Sequence, residues 1–341
     1  MSELRWNPML GQWVITASHR QSRTYKPPEG YCPLCPTRSP ADFPTEIPAA
    51  SYEIAVFDNK FPSLRPEPEV PAEPGSALMP VMASFGRCEV VLYTDDHNAT
   101  FARLSVSRIR NLIDVWVDRY LELGSGKEIS YVLIFENKGD AVGVTLHHPH
   151  GQIYAFPYIP PIPKAELENS SEHLRRTGRC LICDVLAEEL SDGRRIVFSD
   201  SQFVAVSPFY ARYPYEVHIV PRKHVPSIDR LDTEQRDSLA AVLKAVTMGY
   251  DALFGFDFPY IMVMHQAPTD SSYPGASHFH IEFYPPQRTA DKLKYLAGCE
   301  SGAGTFINDS LPEEKAVELR EAILGASRGD GVRASCGRTG D

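Results

Sequence analysis

Apolar residues recur along this chain with two different periods, and the order in which the periods alternate is itself repeated. Trp13-Val14-Ile15-Thr16, Tyr52 to Phe57, Cys88 to Tyr93, Tyr131-Val132-Leu133-Ile134-Phe135 and His150 to Phe156 are short runs rich in β-branched and aromatic residues, and they predict strands. Between them Ile109, Leu112, Ile113, Trp116 and Tyr120 fall at i, i+3, i+4, i+7 and i+11. That spacing predicts an amphipathic helix from Ser105, ended by Gly124 and Gly126. Proline-rich stretches from Pro27 to Pro48 and from Phe61 to Pro80 predict loops.

Past residue 200 the order returns. Phe203 to Val206 answers Tyr52 to Val56, and Glu216 to Val220 answers Glu89 to Tyr93. A helix with Asp232 and Gln235 as a capping pair carries Leu239, Val242, Leu243, Val246, Tyr250 and Leu253. Tyr260 to Met264 then answers Tyr131 to Phe135. The expected fold is therefore α+β, two tandem copies of one unit, each an antiparallel sheet flanked by helices. The first copy takes residues 1–170 and the second 171–325, with a Gly/Arg/Ser-rich tail at 326–341 expected to be disordered.

Composition narrows the class. The 341 residues carry 34 Lys+Arg against 44 Asp+Glu, a net charge of −10, which argues against binding nucleic acid through phosphate contacts. No run of 18 apolar residues and no leader-like start occur, so a cytoplasmic protein is expected. Seven cysteines stand out, because four of them form two Cys-x-x-Cys pairs. In a reducing compartment such pairs are metal ligands or redox dithiols, and the prolines around Cys32 and Cys35 favour metal.

The duplication identifies the remaining ligands. Cys32, Cys35, His97 and His148 in the first half follow the same order as Cys180, Cys183, His224 and His278 in the second. Each set offers two thiolates and two imidazoles, the complement of a closed tetrahedral zinc site. In an extended segment alternate side chains share a face, so His148, His150 and Gln152 project together. If His148 is held by zinc, His150 is a positioned imidazole beside it, able to take a nucleotidyl group covalently. Gln152 can donate its amide hydrogens to the phosphoryl oxygens as charge builds there.

His148-Pro149-His150-Gly151-Gln152, preceded by Phe135-Glu136-Asn137-Lys138-Gly139, resembles the active-site stretch of the galactose-1-phosphate uridylyltransferase family, within the histidine triad superfamily. Arg20, Arg23, Asp96-His97, Phe258-Pro259-Tyr260 and Lys294 to Glu300 extend the resemblance over most of the chain. The resemblance implies two histidine-triad-like repeats in a half-barrel. It also implies ping-pong transfer of UMP between UDP-glucose and galactose 1-phosphate through a uridylyl-His150. It assigns nucleotide and phosphate binding to Arg20, Arg23, Asn59, Asn137, Gly143, Thr145 and Gln152. Lys294 and Glu300 would complete the sugar site of the neighbouring subunit in a homodimer. A further zinc or iron position is implied at Glu166, His265, His280 and Glu282, the last standing where a His is usual. Lys60 replaces a usual Asp, and Phe306 lies near where a sugar-contacting Gln is expected.

Two rivals compete with that reading. One is a nucleotide-sugar phosphorylase of the same superfamily, whose acceptor is inorganic phosphate. Hydrolysis is disfavoured, because the amide of Gln152 cannot donate a proton to a leaving group. The other rival is a zinc-stabilised nucleotide-binding protein without turnover.

Overall fold

The computed structural model describes residues 2–22, 30–38 and 45–330. Fourteen strands and six α-helices follow in the order β1 (Ser2–Asn7), β2 (Gln12–Ala17), β3 (Ala55–Asp58), β4 (Val81–Ala83), β5 (Arg87–Leu92), α1 (Val106–Gly124), β6 (Tyr131–Lys138), β7 (His150–Phe156), α2 (Pro161–Thr177) and α3 (Leu181–Asp192). The chain continues through β8 (Ile196–Ser199), β9 (Phe203–Val206), β10 (Val217–Pro221), α4 (Thr233–Phe254), β11 (Tyr260–His265), β12 (His280–Tyr284), β13 (Gln287–Thr289), β14 (Lys292–Leu293), α5 (Gly298–Ala303) and α6 (Pro312–Asp330). The stretch Phe61 to Pro80 carries no strand or helix, as its prolines dictate.

Nine strands form one sheet in the order β3-β5-β7-β6-β11-β12-β10-β9-β8. The two expected sheets are thus halves of a single sheet, joined where β6 and β11 pair antiparallel with Phe135 opposite Val263. Reading outward from that seam, β6-β7-β5-β3 mirrors β11-β12-β10-β9. α1 and α4 cover one face, on which Val91, Trp116, Val217, Ile219, Val246 and Phe283 lie in a common core. The N-cap Ser105 accepts from Arg108 N, and Asp232 forms the expected capping box with Gln235. Behind the first half, Arg119 holds the buried Glu89 bidentately at 2.9 and 2.8 Å. The opposite face of the sheet carries the candidate sites.

Register corrects the alignment of the two halves. In the first, Val90 lies opposite Phe57 and Gln152; in the second, His218 lies opposite Val206 and Glu282. His218 therefore takes the place of Val90, one residue away from the match that aligns Glu216 with Glu89. Likewise Phe135 opposite Gln152 corresponds to Val263 opposite Glu282, so Tyr260 is not the counterpart of Tyr131. Matching by residue type failed because a slip of one residue turns every side chain to the other face. Two boundaries also move. The join expected at 170/171 falls inside α2, whose Glu166 packs on second-half residues. The last helix, α6, runs to Asp330, through the first residues of the expected disordered tail, while 331–341 lie outside the described residues.

Candidate active site and metal centres

β7 presents His150 and Gln152 on the site face and turns Gly151 toward the helices. His150 Nδ1 lies 2.7 Å from the carbonyl oxygen of His148. That bond needs the proton on Nδ1, so the tautomer carries its lone pair on Nε2. Gln152 is oriented in the same way. Its Oε1 accepts from Asn59 Nδ2 at 3.3 Å and from Tyr154 Oη at 3.4 Å, which commits the oxygen and leaves the amide hydrogens to the cavity that Gln152 lines. Asn59 in turn accepts from Phe61 N at 2.9 Å.

Two cavities meet at His150. One, of about 310 Å³, is lined by Arg20, Asn59, Thr145 and Gln152 at its polar end and by Leu34, Phe57 and Val90 at its apolar end. The other, of about 370 Å³, is lined by Asn137, Lys138, Gly139 and Asp140. Arg20 is held by the carbonyl of Phe61 at 2.8 Å and by Ser63 Oγ at 3.0 Å. Arg20, Asn59, Asn137, Thr145 and Gln152 are thus brought to His150 as expected. Gly143 lines neither cavity and closes a 3-10 turn in the left-handed region at φ 82°. Lys294 and Glu300 lie apart from both cavities and pair with each other at 3.0 Å. Arg23 falls outside the described residues. Tyr154 and Tyr93 were missed by sequence reasoning. Tyr154 stands two residues after Gln152 on one strand face, a period-two signal that could have found it.

The ligand atoms of Cys32, Cys35, His97 and His148 lie within 4.8 Å of one another, as do those of Cys180, Cys183, His224 and His278. Zinc bond lengths of about 2.3 Å to sulfur and 2.0–2.1 Å to nitrogen, at tetrahedral angles, put sulfur and nitrogen about 3.6 Å apart. Cys35 Sγ stands 3.5 Å from His97 Nδ1 and 3.7 Å from His148 Nδ1. In the second set the sulfur–nitrogen separations are 3.6, 3.9 and 3.4 Å. One thiol hydrogen cannot serve two imidazoles, and these separations are those a tetrahedral ion would impose. Backbone carbonyls aim the rings: His148 Nε2 donates to Thr94 O at 2.7 Å and His278 Nε2 to Pro221 O at 3.2 Å. Burial and the neighbouring thiol push the Cys35 thiol up to about 11. Burial also drives His278 down to about 3 and lowers His148. Neutral imidazoles and thiolates that need a cation are the donor set that fits zinc.

Glu166, His265, His280 and Glu282 converge as a third cluster within the same limit. His265 Nδ1 meets Glu166 at 2.6 Å, and Glu282 lies 3.4 Å from His280 and 3.3 Å from His218. Burial opposes charge on His265, but the carboxylates of Glu166 and Glu282 outweigh it and raise the imidazole to about 9. The residues suit a divalent ion of harder character than the cysteine sets. By register, Glu282 occupies the place of Gln152 and His280 that of His150.

Comparison with known proteins follows this geometry. Several solved structures share the sheet and helices: a uridylyltransferase at 32% identity and TM-score 0.83, over 95% of this chain and 99% of that one, and an ADP-glucose phosphorylase from Arabidopsis thaliana at 24% and 0.70, over 94% and 99%. The second shows the fold alone. The chain has the fold of that uridylyltransferase, an antiparallel sheet of two mirrored halves flanked by helices. Residues 1–160 match "Galactose-1-phosphate uridyl transferase, N-terminal domain" and residues 166–326 its C-terminal domain. Galactose-1-phosphate uridylyltransferases of Thermotoga maritima (40% identity, covering 94% of this chain and 98% of that protein) and Streptomyces lividans (38%, 94% and 87%) are similar throughout. The chain belongs to the galactose-1-phosphate uridylyltransferase family.

Proposed function

We propose that this protein is a UDP-glucose–hexose-1-phosphate uridylyltransferase, moving UMP between UDP-glucose and galactose 1-phosphate through a uridylyl group on His150. The observation that carries the reading is the Nδ1 bond of His150 to the His148 carbonyl, made where Gln152, Asn59 and Asn137 surround one imidazole. Nε2 attacks the α-phosphorus; the bond from that phosphorus to the bridging oxygen breaks, and glucose 1-phosphate leaves with the electron pair. The imidazolium so formed keeps its Nδ1 proton on the carbonyl, whose dipole stabilises the new positive charge. In the second half-reaction a phosphate oxygen of galactose 1-phosphate attacks the same phosphorus and the nitrogen lone pair returns to His150. Both leaving groups are stable without protonation, so an amide at position 152 suffices where an acid would otherwise be needed. Gln152 and Asn59 donate hydrogen bonds to the non-bridging oxygens, and Arg20 supplies the nearby positive charge.

The metals in this reading are structural. Zinc at Cys32, Cys35, His97 and His148 pins the start of β7, which fixes the backbone carbonyl that orients His150. A second zinc at Cys180, Cys183, His224 and His278 does the same for β12. Glu166, His265, His280 and Glu282 hold zinc or iron. A homodimer goes with it, since Lys294 and Glu300 lie beside the exposed Tyr295 and Leu296, away from this chain's own His150. Cysteine sets that must stay reduced fit a cytoplasmic location. Among the described residues no helix is long and apolar enough to cross a membrane.

Incubation with UDP-glucose labelled at the α-phosphate tests the reading. An acid-labile, base-stable label is expected on the peptide bearing His150, discharged by galactose 1-phosphate, and absent in His150→Ala. A His150→Ala enzyme that still labels or turns over ends the proposal. Discharge by inorganic phosphate in place of the sugar phosphate turns it into the phosphorylase reading.

A further inference from the structure

The register that pairs the halves also pairs their cavities. In the first half Leu34, Phe57 and Val90 form the apolar end of the cavity beside His150. Their counterparts are Ile182, between Cys180 and Cys183, then Val206 and His218. All three line a cavity of about 380 Å³ in the second half, bordered by His280 and Glu282 where the first has His150 and Gln152. The second cavity is as large as the first and keeps two of its three apolar wall positions, Ile182 and Val206, with Val185 and Leu186 of α3 added and His218 in place of Val90. What has changed is the polar end. Asn59 is replaced by Pro208, Gln152 by Glu282 and Asn137 by His265, while α2 adds Glu166. Hydrogen-bond donors for a phosphate have become carboxylate acceptors.

We propose that this second-half cavity binds a nucleoside: a flat base between Ile182 and Val206, and ribose hydroxyls donating to Glu166 and Glu282. Size and wall chemistry match the first-half cavity beside His150, which, if the proposed function holds, receives the nucleotide's base. Glu166 and Glu282 offer a 5′-phosphate acceptors where it needs donors, and the Nε2 atoms of His218 and His280 are already engaged by carboxylates. An ion in the adjoining cluster would not ligate the phosphate either, because Glu166, His265, His280 and Glu282 already supply four donors and leave a tetrahedral ion no open position. The site selects the uncharged nucleoside that the catalytic half, lined with Arg20 and amides, does not favour.

The test uses His150→Ala protein saturated with UDP-glucose, so that the first site is filled without turnover, and titrates radiolabelled uridine. About one further equivalent per chain is expected to bind. UMP should displace it at least tenfold less well than uridine. Val185→Trp and Asn169→Trp, which fill the cavity from two helices, should each weaken uridine uptake at least tenfold. Carried in the His150 background, both variants should keep uridylyl transfer, which reads out folding. Absence of uptake resistant to UDP-glucose, uptake unchanged in both variants, or displacement by UMP equal to that by uridine would each overturn the proposal.

Discussion

Replacing Gly151 by Ala tests how the catalytic strand is seated. A β-carbon added at Gly151 would stand 2.2 Å from Tyr93 Oη, 3.1 Å from its Cζ and 3.0 Å from the carbonyl oxygen of Phe135. Tyr93 is fully buried against Phe101 and Trp116, at 5.6 and 6.2 Å between ring centroids, and cannot swing away. The strand must yield, and it carries His150 and Gln152 on either side. Overpacking of this kind costs about 1–3 kcal/mol. A shift of about 1 Å at the nucleophile lowers turnover by about 100-fold. Tyr93→Phe removes the 2.2 Å contact but leaves the one at 3.1 Å, so the double variant recovers part of the loss. Thermal or urea unfolding of the four proteins, with uridylyl-transfer rates, gives the coupling; at least about 1 kcal/mol in favour of the double variant is expected. Gly151→Ala at wild-type stability and rate, or a coupling near zero, would refute this account of the strand.

Cys32→Ser and Cys180→Ser should each lose one zinc equivalent by elemental analysis, with destabilisation below the ~10 kcal/mol apparent binding energy of structural zinc. Only Cys32→Ser should also slow transfer strongly, since only His148 leads directly into the strand of the proposed nucleophile. Glu136 is buried, and burial pushes its carboxyl from 4.5 to about 8 against the pull of Lys138. The unfolded chain therefore loses this proton at lower pH than the folded one, and stability falls between about pH 4.5 and 8 by at most about 1.4 kcal/mol per pH unit. Glu136→Gln should flatten that slope in urea unfolding across the same range; an unchanged slope would show that other groups dominate. Arg195 is 5% exposed and holds Glu189 at 2.7 Å and Glu313 at 2.6 Å. Arg195→Met should cost about 3–5 kcal/mol by chemical denaturation, because Glu189 is left buried without its cation.

The duplication, both cysteine–histidine sets and the face shared by His150 and Gln152 were legible because they rest on spacing and on the strand period. Register was less legible. Aligning Glu216 with Glu89 is reasonable by residue type, yet Glu89 turns to Arg119 among the helices while His218 turns to the site face. Only hydrogen-bond pairing distinguishes the two, and a single sequence does not contain it. Helices α2 and α3 were missed because α2 opens on prolines and α3 begins inside a metal pair, where composition signals a loop. Tyr93 escaped for another reason. Its role depends on the missing β-carbon of Gly151, a contact between two strands that no local pattern records.

Register also explains why one half keeps the chemistry. A phosphodiester approaching His280 would meet Glu282 where His150 has Gln152, and Glu166 close by. The nucleophile's own backbone differs too. Gly151 admits Tyr93 behind the strand, whereas the equivalent Ile281 fills that space with its side chain in the core. Each half anchors its imidazole through Nδ1 to the carbonyl two residues earlier, at 2.7 Å for His150 and 2.9 Å for His280. An oriented imidazole is thus common to both, and a phosphate-accepting amide is not. On the function proposed above, the first half works as a transferase through the amide at 152, whose oxygen is held by Asn59 and Tyr154.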